Sequence, residues 1–371
     1  MKLSYWENKT WFNQVDFTII GSGIVGLCCA LFLKEKHPTS KVLVLERGML
    51  PQGASTKNAG FACFGSISEI VSDLKTHSEE EVQELVKNRF EGIQLLRQIL
   101  GDEALGFEKY GGHELFLDED NELYHTCQEK LDEVNDLLEP IFKSKTFKKN
   151  DNAFGFKGVK EQIITHVHEG QIDTGRMMMG LMKRCVSLGV LILNGMEVLN
   201  LDEQGNKVLV SSANFDFVSK KVLVATNGFA SKLLKGQMVK PARAQVLITE
   251  PIPNLKIKGT FHLDEGYYYF RNIDNRILLG GGRNLDFKGE ETTKMEETSI
   301  IQNKLEELLS EVIFPNQPYE IAQRWSGIMG VGHQKTPILK QISANISCGI
   351  RLGGMGVALG SKVGKDLAEL L

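Results

Sequence analysis

The sequence predicts an α/β chain in two parts, a doubly wound βαβ unit and an α+β unit built on a mixed, largely antiparallel sheet. Three observations carry this. An apolar run at Val15–Ile20 leads straight into Gly21-Ser22-Gly23-Ile24-Val25-Gly26. A helical apolar pattern and a second apolar run, Lys41–Leu45, follow it. Far downstream, stretches of alternating apolar and polar residues at Ala244–Thr249, Tyr267–Arg271 and Arg276–Gly280 read as half-buried strands.

Length and composition suit this division. A chain of 371 residues can bury two cores, and 42% hydrophobic with 24% charged residues is ordinary for a globular protein. A net charge of −4 gives no basic surface for a phosphate backbone, so no nucleic-acid partner is expected. The six cysteines, Cys28, Cys29, Cys63, Cys127, Cys185 and Cys348, form no CxxC pair and read as buried reduced thiols, with no metal site. The longest apolar stretch, Ile24–Leu33, is shorter than the roughly 20 residues a membrane span needs. No apolar signal segment precedes Phe17, so a cytoplasmic location without a transmembrane segment is expected.

The first fifty residues have an order that physics demands of a dinucleotide site. Gly21 permits a tight turn out of the strand, and Gly23 lets backbone approach a pyrophosphate. Gly26 lets the helix pack close, and the helix N-terminus faces the negative phosphates. The helix should stop at His37-Pro38. Glu46, twenty residues after Gly26, stands where a carboxylate accepts hydrogen bonds from a ribose diol. These residues alone leave NAD and FAD open.

Later blocks are more specific. Gly53-Ala54-Ser55-Thr56-Lys57-Asn58-Ala59-Gly60-Phe61 resembles the GxSxxNxG segment of the D-amino-acid oxidase, glycine oxidase and sarcosine oxidase family. Glu169–Asp173, Val222–Gly228, Trp325-Ser326-Gly327-Ile328 with Thr336-Pro337, and Gly353-Gly354-Met355-Gly356-Val357 resemble further family blocks in the same order. The resemblance implies a Rossmann-like, discontinuous FAD-binding domain over 1–80, 160–230 and 322–371. It implies a mixed antiparallel-sheet substrate domain over 81–159 and 231–321, in which Glu79–Leu100 and Glu122–Leu138 read as helices and His113–Leu117 as a short strand. Besides Gly21, Gly23, Gly26 and Glu46, the implied FAD contacts are Ile24, Val25, Arg47, Ser55, Lys57, Asn58, Ala59, Gly60, Val198, Ala225, Thr226, Gly228, Gly353, Gly354, Met355, Gly356 and Val357.

The activity implied is oxidation of an amine or amino acid at carbon–nitrogen by hydride transfer to flavin N5, giving an imine that hydrolyses. The electron acceptor is oxygen or another redox partner. Tyr267 and Tyr269 are expected at the substrate, with Arg271 on the same strand face and Tyr268 and Phe270 on the other. Family members place a carboxylate-binding arginine where this chain has Met329, so Arg351 is the substitute, with Arg271 and Arg283 behind it. Gly330–Lys335 lacks the cysteine that attaches flavin covalently in sarcosine oxidases, which implies non-covalent FAD. Leu278 falls where those enzymes keep an oxygen-activating lysine. Related folds oxidise 2-hydroxy acids or glycerol phosphate, or trim a tRNA base. A hydroxy-acid enzyme would need a base such as His113 or His333. A flavin-binding sensor or assembly protein without catalysis is the alternative of another class.

Overall fold

The computed structural model describes residues 2–236 and 239–371, and its elements sort into two large sheets. The first has the order Ile338–Gln341, Ile346–Ile350, Asp216–Val224, Val15–Ile20, Val42–Leu45, Leu191–Leu193, with a hairpin of Val198–Gln204 and Lys207–Ser212 on the strand 216–224. Its central strands run parallel. They are buried on both faces, which is why they read as continuous apolar runs. The helix Ile24–Lys36 is buried almost all round, between this sheet and the helix Gly356–Glu369. It ends at His37, as the following proline requires.

The second sheet has the order Ile321–Val331, Lys240–Thr249, Arg276–Gly281, Tyr268–Ile273, Thr260–Leu263, Gly112–Glu114, Gln162–His166, Phe147–Asp151. Its pairs are antiparallel except for 260–263 with 112–114. One face is sealed by the helix Ser299–Leu308 over Tyr268, Phe270 and Phe261. The other carries Val246, Leu278, Tyr269 and Trp325 and meets Ala59 and Phe61 of the first unit. The alternation holds from Tyr268 to Arg271, whereas Tyr267 precedes the strand and packs against the cluster that contains Tyr268 and Phe270.

Several expected boundaries move. Strands 162–166 and 321–331 fall in stretches that the resemblance gives to the FAD-binding domain, but their hydrogen bonds lie in the second sheet. The strand expected at 244–249 starts at Lys240, because Pro241 pairs opposite Gly330 without ending it. The strand expected at 113–117 covers only 112–114. The helix expected at 122–138 is two helices, Asn121–Glu129 and Leu131–Phe142, separated at the turn residue Lys130 (φ −85°, ψ −1°). The helix Glu79–Leu100 stands as read, opened by a capping box between Ser78 and Glu81. It packs on the helix 356–369, where a Cβ on Gly92 would lie 1.9 Å from Ala358 O. All six cysteines are free and buried.

Candidate active site

Both sheets open on one cavity of about 710 Å³. At one end the helix Ile24–Lys36 begins in the cavity wall, with Gly23, Ile24 and Val25 on the lining. Gly21 has φ +103°, and a Cβ there would meet Ala225 O at 2.8 Å. A Cβ on Gly26 would lie 1.9 Å from Gly21 O, so Gly26 does not face the cavity but brings the helix onto the turn. Ser55 Oγ accepts from Ile24 N at 3.0 Å and caps the helix start. Glu46 is buried in the wall. Its Oε2 accepts from Ser22 N (3.2 Å) and Ser22 Oγ (2.9 Å), and its Oε1 accepts from Gly48 N (3.0 Å). Arg47, stacked over Phe229 at 3.9 Å, and Val198 with Met196 complete this end.

The middle of the cavity is built from loops that hold one another. Asn58 Nδ2 donates to Ala54 O (3.2 Å) and Ser55 O (2.8 Å), while its Oδ1 accepts from Gly60 N (2.9 Å) and Thr174 Oγ1 (2.8 Å). Asn58 thus shapes the loop with its whole amide, while Lys57 and the small residues Ala59 and Gly60 line the cavity. Trp325 Nε1 donates to Lys57 O at 3.0 Å. Arg271 Nη1 donates to Ala59 O, Gly60 O and Ile172 O at 3.2, 2.9 and 2.6 Å. That corrects the reading of Arg271 as a reserve carboxylate ligand: it is a buried clamp between sheet and loop. Burial pulls its pKa down to about 10.

Opposite, Ala225 and Thr226 line the wall, whereas Gly228 packs against Met329 O, 2.3 Å from where its Cβ would be. Asn227 Oδ1 accepts from Arg351 N (3.0 Å) and Leu352 N (3.2 Å), tying this turn to the glycine-rich one. Gly353, Gly354, Met355, Gly356 and Val357 all line the cavity at the start of the helix 356–369. Two helix N-termini therefore face one space, each favouring negative charge.

The substrate end is formed by the second sheet. Tyr267, Tyr269, Val246 and Met329 line it. Tyr269 packs edge-on to Phe61 at 5.5 Å, and burial raises its hydroxyl to about 12. His333 lies on the lining but is exposed. His113 is away from the cavity, with Nδ1 2.9 Å from Thr165 Oγ1, and burial lowers it to about 4. Arg351 lines the cavity in a left-handed conformation (φ +63°) and donates to Thr336 O from Nε (3.1 Å) and Nη2 (2.9 Å).

Sequence reasoning missed His262. It sits on the wall with Nε2 3.5 Å from Glu169 Oε2. Burial would lower its pKa, but Glu169, then Glu69 and Glu114, raise it above the ordinary value. Glu169 Oε1 accepts from Phe64 N and Gly65 N. Although burial opposes ionisation, His166, His262 and the Phe64 amide bring Glu169 down to about 2. The only sequence signal was Glu169 at the head of its block.

Behind them Glu114 accepts from Ser68 N (3.0 Å) and Ser68 Oγ, and burial raises it to about 7. A carboxyl whose folded pKa exceeds its unfolded value stabilises the fold at low pH and loses that contribution as pH rises through 7. Glu114→Gln should therefore flatten the fall in denaturation free energy between about pH 4.5 and 7. Urea melts at a series of pH values check this.

The residues fit FAD. Glycine turns leave room for a pyrophosphate at a helix start, and Glu46 is placed for a ribose. Thr226 Oγ1 is buried on the cavity wall and has no hydrogen-bond partner among the described residues. Comparisons with known proteins agree. The probable oxidoreductase OrdL of Haemophilus influenzae is 25% identical over 98% of this chain and 84% of its own. Sarcosine oxidase subunit beta of Rhodobacter capsulatus is 22% identical over 99% of this chain and 88% of its own. The structure of iminodiacetate oxidase from Chelativorans sp. BNC1 superposes with a TM-score of 0.77 at 18% identity, covering 95% of this chain and 94% of that one. A family model described as FAD dependent oxidoreductase matches residues 16–370, so the chain belongs to that family and is an FAD-dependent oxidoreductase.

Proposed function

We propose that this enzyme oxidises the carbon–nitrogen bond of an amine or amino acid and holds FAD without a covalent link. The observation that carries the reading is the cavity face of the second sheet. Tyr267, Tyr269, Val246 and Met329 form an apolar and aromatic wall, and none of these four is a histidine or a carboxylate. His113 lies away from the cavity, His333 is exposed on its lining, and His262 lies 3.5 Å from Glu169, which raises its pKa against the opposing effect of burial. Such a wall lacks the base that oxidation of an alcohol requires, whereas a neutral amine needs none. When bound, FAD supplies the acceptor for a hydride from the carbon that bears nitrogen.

The chain's own residues set the conditions. The apolar wall lowers the pKa of a substrate ammonium, so the amine is neutral when it reacts. Tyr269 and Phe61 exclude water beside the reacting carbon, and the Tyr267 hydroxyl orients the substrate. The imine that leaves is hydrolysed to a carbonyl and an amine or ammonia. Non-covalent binding rests on the cysteines: Cys63 lines the cavity, but burial, then Glu169 and Glu69, push its thiol pKa up, so the nucleophilic thiolate is scarce. Cys348 is packed in the core of the first sheet. Sarcosine and iminodiacetate, named for the similar proteins, mark the substrate class to try first.

The test is product analysis. Incubation with an amine panel and an artificial acceptor should yield carbonyl and released amine in equal amounts, at a rate that rises with pH as the ammonium deprotonates. Turnover of 2-hydroxy acids alone would refute the reading.

The acceptor is oxygen or another redox partner. Leu278, buried with Ala59 and Val246, stands where the resemblance calls for the oxygen-activating lysine. The reduced holoprotein should therefore reoxidise slowly in air and rapidly with a quinone, as rapid mixing will show; fast reaction in air would assign oxygen.

A further inference from the structure

Oxidation of an amine takes two electrons out of the substrate, and the acceptor that finally carries them needs protons as well. A quinone receives a hydride equivalent and one further proton to become a hydroquinone. That second proton calls for an acid at the reacting end of the cavity.

Sheet register puts His262 there. It stands opposite Tyr269 on one neighbouring strand and opposite Glu114 on the other, so the three side chains share the cavity face. The residue is 5% exposed and lines the cavity, and its ring meets Phe61 edge-on at 5.3 Å. Phe61 in turn meets Tyr269 at 5.5 Å, which sets His262 at the substrate end.

A fixed carboxylate stands against it. Glu169 Oε1 accepts from Phe64 N at 2.7 Å and Gly65 N at 3.3 Å, which leaves Oε2 to His262 Nε2, 3.5 Å away. A Cβ on Gly112 would lie 1.8 Å from that Oε2, so the glycine in the strand 112–114 gives the carboxylate its room. Both Oε2 and His262 Nε2 are buried and without a hydrogen bond, as is His166 Nε2 nearby. An anchored anion with an unfilled oxygen favours a proton on the ring beside it.

The other groups around the ring act in the same direction. Burial opposes a charge on His262, yet Glu169, then Glu69 and Glu114, raise it above the ordinary histidine value. The remaining ionisable neighbours add no charge at neutral pH. Burial brings His113 and His166 down to about 4, holds Tyr269 at about 12, and keeps Cys63 above the ordinary thiol value.

We propose that His262, held by Glu169, donates the proton to the electron acceptor, a quinone-class molecule that enters the substrate end after the product leaves. The ring N–H bond breaks and an O–H bond forms on the quinone, while the hydride equivalent comes from the reduced cofactor. Solvent then returns a proton to the ring. Glu169 is the positioning residue. The proposal rests on the reading of the acceptor above and not on which amine is oxidised.

The test reduces holoprotein anaerobically with dithionite, so no substrate is needed. The reduced protein is mixed with a water-soluble benzoquinone or with ferricenium, which takes electrons and no proton. His262→Asn should slow reoxidation by the quinone at least about 100-fold at pH 7 and leave the ferricenium rate nearly unchanged. Glu169→Gln, which keeps an acceptor for the Phe64 amide, should slow the quinone reaction less. The wild-type quinone rate should fall as pH rises through the raised His262 pKa. That fall should move to lower pH in Glu169→Gln and vanish in His262→Asn. Histidine NMR of the protein without FAD gives a readout free of turnover: the signal missing from His262→Asn should titrate above the ordinary histidine value, and lower in Glu169→Gln.

Equal slowing with both acceptors in His262→Asn, an unchanged quinone rate, or a His262 signal that titrates below the ordinary value overturns the proposal. A wild type that air reoxidises fast and the quinone does not refutes the acceptor reading and the proposal with it. If the quinone rate depends on His262 but no amine reduces the flavin, the proposal stands and the amine reading fails. If amines bleach the flavin and His262→Asn reoxidises like wild type with both acceptors, the amine reading stands and the proposal fails.

Discussion

Alanine at Gly26 should give a protein that is markedly less stable and retains little flavin. The added methyl would lie 1.9 Å from Gly21 O and 3.2 Å from Ile19 Cγ2. The first neighbour is backbone of the turn, not the end of a flexible side chain, so helix and turn must separate. Overpacking a tight site costs about 1–3 kcal/mol, and a backbone collision belongs at the upper end. For a chain of 371 residues about 3 kcal/mol lowers the melting temperature by roughly 4 °C. The same movement spoils the helix start at Gly23–Val25, so flavin content should fall more steeply than stability. Gly53→Ala is the comparison: nothing lies within 4 Å of its added Cβ, and stability should stay within about 0.5 kcal/mol. Thermal melts and the ratio of flavin to protein absorbance measure both effects.

Glu46→Ala should weaken FAD binding by at least about 100-fold while leaving the fold assembled. The carboxylate already organises its surroundings by accepting from Ser22 N, Ser22 Oγ and Gly48 N. Both lone pairs of Oε2 are taken by the Ser22 donors, but Oε1 accepts only from Gly48 N and has a further lone pair, so the group can also accept from a ribose. Alanine removes the ribose contact and leaves two backbone donors short of partners, a stability loss of about 2–3 kcal/mol. Glu46→Gln keeps one acceptor oxygen and should lose only about tenfold in affinity. Titration of apoprotein with FAD, followed by flavin fluorescence, distinguishes the two.

What could be read from the sequence was local. Strand, glycines, helix, strand and Glu46 occupy consecutive positions, and period and spacing alone place them. The alternation from Tyr268 to Arg271 was legible for the same reason. The rest depends on distant partners. Strand 112–114 joins 260–263 across nearly 150 residues, and no local pattern announces that pairing. Arg271 looked available to a ligand, yet its donors are taken by Ala59, Gly60 and Ile172, residues remote in the chain. His262 drew no notice because its character comes from Glu169. The break at Lys130 was invisible because Cys127, Val134 and Leu138 keep helical spacing across it.

The central claim is that this cavity holds FAD and uses it to oxidise carbon–nitrogen bonds. The most direct measurement is the absorbance spectrum of purified holoprotein, repeated without oxygen after addition of amines and amino acids one at a time. The account predicts a two-band flavin spectrum, released by acid denaturation and bleached by at least one amino-bearing compound. Flavin that every amine leaves oxidised while a 2-hydroxy acid bleaches it would contradict the account.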